Sequence, residues 1–269
     1  MKSDEVGLHR LLPADDRPTA DLDDDALAAC YENAGASWLR VNFVSSLDGG
    51  ATRDGRSGGL SDAADRRVFD VLRRLCDVVL VGAGTIRAEG YAGMSVDAVS
   101  AQWRTAHGLA AQPRLAIVSN RLALDADDAV FADAVTRPLL ITSRKAAADD
   151  GVRFARVADI VECGAESVDT GAIAGALAAI GLPRVHCEGG PTLFAALAAV
   201  DAVDELCLTL SPLLVGGHGP RITGGAADLT TRMRLDTVLS AEDTLLLRYL
   251  AERGADRDGA DRNGADRNG

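Results

Sequence analysis

The feature that most restricts the fold of this 269-residue chain is an alternation of apolar runs with stretches of helical period. The runs are WLRVNFVSSL (38–47), DVVLVG (77–82), RLAIVS (114–119), PLLITS (138–143), VADIVEC (157–163), RVHCE (184–188), ELCLTLSPLLVG (205–216) and TLLLRYLA (244–251). Strands buried on both faces read as near-continuous apolar segments. Interleaved with helices, they predict an α/β fold with a mostly parallel sheet. In DAADRRVFDVLRRLC (62–76), Val68, Val71, Leu72 and Leu75 recur at i, i+3, i+4 and i+7 behind Asp62 as N-cap. A second helix fits TGAIAGALAAIG (170–181), ended by Gly181. No convincing helix separates the last two runs, so antiparallel C-terminal strands are expected.

The ends differ from this middle. Residues 1–37 form an N-terminal extension, read as a lid or arm, in which DLDDDALAACYENAG (21–35) predicts a short acidic-capped helix terminated at Gly35. Residues 38–251 form the main domain. Residues 252–269 include the repeat GADRDGADRNGADRNG (254–269), which has no apolar face and is expected to be a disordered low-complexity tail. Hydrophobic residues make up 47% and aromatics only 4%, so Ala, Val and Leu must fill the core. The net charge of −12 argues against nucleic acid as a partner. Any phosphate-bearing ligand must then be held by local arginines and backbone N–H groups. There is no secretory pattern and no apolar run that could span a bilayer, so no membrane partner is expected. The five scattered cysteines read as reduced core thiols of a cytoplasmic protein, and the four separated histidines give no expectation of a metal site.

Two loops each leave a strand and open a helix: GAGT (82–85) and EGGPTLFAAL (188–197). Their glycines let backbone approach a ligand, and a helix start offers unpaired N–H groups and a positive dipole end to an anion. Pro191 suits a first helical turn because it lacks an N–H, and Thr192 adds a hydroxyl there. The first loop is not the G-x-G-x-x-G dinucleotide fingerprint, since Arg87 stands at the third glycine position. Ligands of α/β sheets sit at the C-terminal ends of parallel strands, so a pyrophosphate straddling both helix starts is the natural reading.

Taken in order, NFVSSLDGGAT (42–52), LSDAADRRVFDVLRRLCDVVLVGAGT (60–85), EGGPTLFAAL and DELCLTLSPLLVGG (204–217) resemble the reductase domain of the riboflavin-biosynthesis deaminase/reductases, which has a dihydrofolate-reductase-like fold. The resemblance implies an NADPH-dependent, homodimeric pyrimidine reductase acting on 5-amino-6-(5-phosphoribosylamino)uracil. It places Gly82, Gly84, Thr85, Glu89, Ser119, Gly189, Gly190, Pro191, Thr192 and Leu193 at the cofactor, and Asn42, Ser57, Arg73 and Glu188 at the substrate. Arg121 follows Ser119 closely, and its guanidinium suits a ribose 2′-phosphate. Arg73 is expected to meet the ribose phosphate and Glu188 the ring edge. Asp48 and Glu188 are the carboxylates available as proton donors, although Asp48 also suits a role within its own Asp-Gly turn.

Departures from the family pattern bear on the identity of the substrate. Asn42 replaces a lysine, Gly59 a cofactor-stacking tryptophan, Ala88 to Tyr91 an A-D-D-P segment, and Val96 an arginine that contacts the ribose phosphate. These keep two alternatives open, a dihydrofolate or pterin reductase on the same fold and a non-catalytic NADPH-binding regulator.

Overall fold

The computed structural model describes residues 7–12, 21–33, 35–225 and 230–252. The segment from Gly254 therefore lies outside the described residues. The strands form one ten-stranded sheet of order β1-β9-β10-β8-β2-β7-β3-β4-β5-β6. They are β1 (His9–Leu12), β2 (Trp38–Ser46), β3 (Val78–Gly82), β4 (Arg114–Val118), β5 (Leu139–Thr142), β6 (Asp159–Glu162), β7 (Arg184–Cys187), β8 (Glu205–Ser211), β9 (Met233–Ala241) and β10 (Thr244–Ala251). From β8 across to β6 every pairing is parallel, whereas β10, β9 and β1 add on in antiparallel fashion. The mostly parallel α/β class with antiparallel C-terminal strands is the class observed. β10 does lie antiparallel to β8, but β9 precedes it in the chain and was not anticipated.

The helices are α1 (Asp24–Ala29), α2 (Ala63–Leu75), α3 (Ala83–Glu89), α4 (Ala98–Ala106), α5 (Ala129–Ala132), α6 (Arg144–Asp150), α7 (Ile173–Ala179) and α8 (Pro191–Ala198). Successive side chains of a strand point to opposite faces. Val78 and Leu80 accordingly enter a core with Leu39, Val41, Leu177 of α7 and Leu197 of α8, while Val79 and Val81 enter another with Ile117, Leu140 and Ile86 of α3. That two-sided burial is why these strands read as continuous apolar runs. Asp62 caps α2 as expected, accepting from the Asp65 N–H at 2.8 Å.

The described residues of the N-terminal segment are part of the packed body. Leu8, Leu27 and Tyr31 are fully buried against Val68 and Leu72 of α2 and Leu239 of β9. The α1 helix ends at Ala29 rather than at Gly35. Its exit is held by side chains of the sheet: Arg40 donates to the Tyr31 carbonyl, and Arg248 donates to the carbonyls of Cys30 and Glu32 at 3.0 Å each. Between those arginines lies Glu205, with Arg40 Nε at 2.7 Å and Arg248 Nε at 2.9 Å. Burial opposes its charge, yet the two guanidiniums hold its carboxyl below the usual range. All five cysteines are buried and free. Among the described residues no helix is long and apolar enough to cross a membrane.

Candidate active site

β7 and β3 are neighbours, so the loops that follow them rise side by side at the C-terminal edge of the sheet. They are bonded to each other, Gly82 N–H donating to the Gly189 carbonyl at 2.8 Å and Glu188 N–H to the Leu80 carbonyl at 3.0 Å. Gly189 has φ +101, and a Cβ there would press on the Phe43 ring at 3.1 Å. At Gly190 a Cβ would lie 2.4 Å from Thr85 Oγ1. The two glycine loops thus meet with no room for a side chain between them.

The helices they open begin differently from most others. Asp23, Asp62, Asp97 and Ser143 cap α1, α2, α4 and α6 with their side chains. By contrast, α3 starts from Gly82 and α8 from Gly190, with no side-chain cap. Their first-turn N–H groups therefore stand without an internal side-chain acceptor.

Both helix starts open onto a cavity of about 600 Å³. Of the residues expected at the cofactor, Gly82, Gly84, Thr85, Glu89, Gly190, Pro191, Thr192 and Leu193 line it; of those expected at the substrate, Asn42, Ser57 and Glu188 do. Gly189 supplies the backbone bond to Gly82 instead. Ser119 lies one residue beyond β4, buried and outside the cavity lining, with its N–H on the Ile141 carbonyl and its own carbonyl accepting from Thr142 Oγ1 at 2.6 Å. Arg121 is exposed just beyond it. Glu89 does not simply face the cavity: its Oε1 accepts from both the N–H and the Oγ of Ser57, at 3.2 and 3.1 Å, linking the end of α3 to the loop before α2.

Glu188 is the most heavily engaged of the lining groups. Arg73 grips it with two parallel bonds, Nε to Oε1 at 2.5 Å and Nη2 to Oε2 at 2.7 Å, and the Tyr91 hydroxyl donates to Oε2 at 2.9 Å. Burial works against the charge of Arg73, but Glu188 raises its pKa above the ordinary guanidinium value. Burial and the adjacent Glu188 likewise raise the Tyr91 phenol. Behind them sits His186, 3.7 Å from Glu188 Oε1, fully buried and with neither ring nitrogen hydrogen-bonded among the described residues. Burial first, then Arg40 and Arg73, pushes its pKa well down, so the ring is neutral. Phe69 of α2 packs edge-on against His186 and under the Arg73 guanidinium, and also lines the cavity.

Two expectations are corrected by this geometry. Arg73 was expected at a ribose phosphate, but it is not among the cavity-lining residues and its guanidinium is committed to Glu188. Asp48 was a candidate proton donor, but its carboxylate accepts from Ser46 Oγ at 2.5 Å, Gly216 N–H at 2.7 Å and Val215 N–H at 3.2 Å. Those bonds, Ser46 first, lower its pKa to about 2, which leaves no proton to give at neutral pH. Its place is structural, tying the turn after β2 to the loop after β8.

The departures have physical counterparts. A Cβ at Gly59 would meet Arg53 Cβ at 3.0 Å and its carbonyl at 3.2 Å, so the position has no space for a large ring pointing that way. Val96 is held through its backbone, N–H and carbonyl both bonded to the Gln112 amide at 2.7 and 3.0 Å. Sequence reasoning missed Tyr91, Phe69 and Arg66 as lining groups. The helical phase of Arg66, Phe69 and Arg73 at i, i+3 and i+7 was the available signal.

A mostly parallel sheet carrying two coupled glycine loops over one cavity is the arrangement of an α/β protein with its ligand site at the C-terminal ends of the strands. The chain belongs to the RibD C-terminal domain family, the riboflavin-biosynthesis pyrimidine reductases, whose sequence pattern matches residues 37–247. It is 29% identical over 194 residues to the 2,5-diamino-6-ribosylamino-4(3H)-pyrimidinone 5′-phosphate reductase of Archaeoglobus fulgidus, covering 71% of this chain and 88% of that one. The protein of the same name from Methanothermobacter thermautotrophicus is 29% identical over 187 residues, 68% of this chain and 82% of that one. In fold the chain is similar to a pyrimidine reductase-like protein from Corynebacterium diphtheriae, with a TM-score of 0.73 and 24% identity, covering 81% and 93% of the two chains.

Proposed function

We propose that this chain is an NADPH-dependent oxidoreductase that reduces 5-amino-6-(5-phosphoribosylamino)uracil, as a cytoplasmic homodimer. The observation that carries the reading is that the bonded GAGT and EGGPT loops open onto one cavity whose lining includes Glu188, its carboxylate fixed by Arg73 and Tyr91. The residues fit a dinucleotide. Bare backbone faces the cavity at Gly84, where a Cβ would meet nothing within 4 Å, and the uncapped N–H groups of α3 and α8 suit a pyrophosphate. Ser119 and Arg121 stand one strand further along the same edge, where an adenosine ribose and its 2′-phosphate would lie.

When bound, the nicotinamide supplies a hydride to the opened ribosylamino C=N carbon. The protein's part is placement. A carboxylate offers about four acceptor positions. Arg73 and Tyr91 occupy three of those on Glu188 and fix its plane, leaving one for an N–H of the pyrimidine edge. Phe43, Phe69 and Leu193 line the cavity and keep water from the reacting carbon. With Asp48 deprotonated and Glu188 acting as acceptor, the proton for the ring-attached nitrogen comes from water.

The test is NADPH oxidation by the purified chain with the uracil compound, its 2,5-diamino-pyrimidinone counterpart and dihydrofolate side by side, and with NADH in a parallel series. Oxidation with a phosphoribosylamino-pyrimidine is expected, with an NADPH preference that Arg121→Ala removes. Preference for dihydrofolate would assign a pterin reductase. Cofactor binding without turnover of any of the three would assign a non-catalytic regulator.

A further inference from the structure

Four arginines lie on α2, and three are committed. Arg67 pairs with Asp24 at 2.9 Å and donates to the Leu22 carbonyl, Arg74 reaches Asp24 and Ser100, and Arg73 holds Glu188. Arg66 has only a long contact of 3.5 Å to the Ser61 carbonyl. It is exposed, and among the described residues it is the one Lys or Arg that lines the cavity. Asp65 and Glu89 line the same cavity, and the chain carries a net charge of −12. Without Arg66 every charged side chain of that lining would be an acid, and an entering phosphate would meet no cation.

We propose that Arg66 reads the substrate phosphate and sets the preference for a phosphorylated over a dephosphorylated ribosylamino-pyrimidine, an inference that rests on the pyrimidine-reductase reading. Seven residues separate Arg66 from Arg73 on one helical face, about 10 Å at 1.5 Å per residue. Arg73 marks the end where Glu188 takes the ring edge, so Arg66 stands an extended ribosyl chain away from it. Ser61 shares the lining with Arg66 and adds a hydroxyl donor for a phosphate oxygen.

The experiment has two arms on the full chain, comparing wild type, Arg66→Ala and Arg66→Lys. The first is steady-state kinetics with the phosphorylated substrate and its dephosphorylated analogue. Arg66→Ala is expected to raise KM for the phosphorylated compound about tenfold to a hundredfold, the range of a charged hydrogen bond, with kcat and the analogue's KM little changed. Arg66→Lys should recover part of the loss. The second is calorimetric binding of ribose 5-phosphate against ribose, which needs no turnover. Arg66→Ala should abolish the preference for the phosphate. Equal effects on both compounds, or an unchanged ribose 5-phosphate affinity, overturn the role of Arg66 while leaving the reductase intact. Absence of wild-type turnover together with a phosphate preference lost in Arg66→Ala would overturn the reductase reading alone. Absence of turnover and of any phosphate preference would overturn both.

Discussion

The two sides of the cavity are built from different materials. On the side of α3 and α8 the loop residues Gly82, Gly84 and Gly190 present peptide groups, and at those positions what matters is the absence of side chains. On the side of α2 and β7 Glu188, Tyr91 and Phe69 line the cavity, with Arg73 and His186 packed behind them, and the positions of these five are set by one another. A glycine loop after an apolar strand carries its geometry within a few residues of sequence. A paired cluster does not, because the partner that decides what a side chain is free to do lies elsewhere in the chain. The Arg73–Glu188 contact spans 115 positions, and it moves Arg73 from a ligand contact to a positioning residue.

The backbone side breaks hardest. Gly190→Val would drive a branched side chain into Thr85 Oγ1, which a Cβ alone would approach to 2.4 Å. Overpacking costs typically about 1–3 kcal/mol, and here it also fills the space expected for a pyrophosphate, so NADPH affinity should fall by a hundredfold or more on that scale. Fluorescence titration with the fold checked by circular dichroism measures it. Gly190→Ala alone and combined with Thr85→Ala sharpens the point, because removing Oγ1 should relieve the clash and return part of the affinity. Wild-type affinity in a folded Gly190→Val protein would mean that the loop is only a turn.

On the side-chain face, Glu188→Gln is the next largest change. Removing one partner of a buried ion pair costs about 3–5 kcal/mol; the amide keeps one acceptor and Arg73 is partly exposed, so the low end, about 3 kcal/mol, is expected in denaturant unfolding. KM should rise alike for phosphorylated and dephosphorylated substrates, since the affected ring edge is common to both. Arg73→Ala should share that indifference, in contrast to Arg66→Ala. A smaller effect belongs to Tyr91→Phe, which deletes the 2.9 Å bond to Oε2 and is worth about 1 kcal/mol, or roughly fivefold in KM. A larger effect on kcat than on KM would show Tyr91 touching the reacting atoms.

The same contrast explains what was legible in the fold. β3 and β2 announce themselves as apolar runs because both faces are buried. β9 does not: its first half, with Arg234 and Asp236, is solvent-facing, and only from Thr237 do buried positions alternate. α4 hides for the opposite reason. Its buried residues are Ser100 and Arg104, and Arg104 is fully buried because it donates to the carbonyls of Arg73, Arg74 and Cys76. A buried arginine whose Nη1 donates to three distant carbonyls reads in sequence as an exposed one. The glycine loops were legible for the reason that makes them sensitive, whereas Arg66, Arg73 and Asp48 could be sorted only after their partners were known.

The smallest expected effect tests the joint between the two sides. Asp48 ties the turn after β2 to the Val215 and Gly216 N–H groups, and the residues just past that turn, Ala51 and Thr52, line the cavity. Its folded-state pKa is about 2 against an ordinary 3.8. A carboxyl whose pKa is depressed by folding contributes stability that is present above its unfolded value and is lost as pH falls through the folded one. The contribution should therefore be complete above about pH 4 and disappear as the pH approaches 2. In Asp48→Asn that decline should be absent, so wild type and variant should converge in unfolding midpoint at low pH and differ slightly at neutral pH. The group is exposed, so the difference should be small and weaken in salt. At neutral pH kcat should be nearly unchanged, because a turn tether moves no proton. A collapse of kcat with an intact midpoint would return Asp48 to the reacting centre, and would make the turn after β2, rather than water, the source of the proton for the substrate's nitrogen.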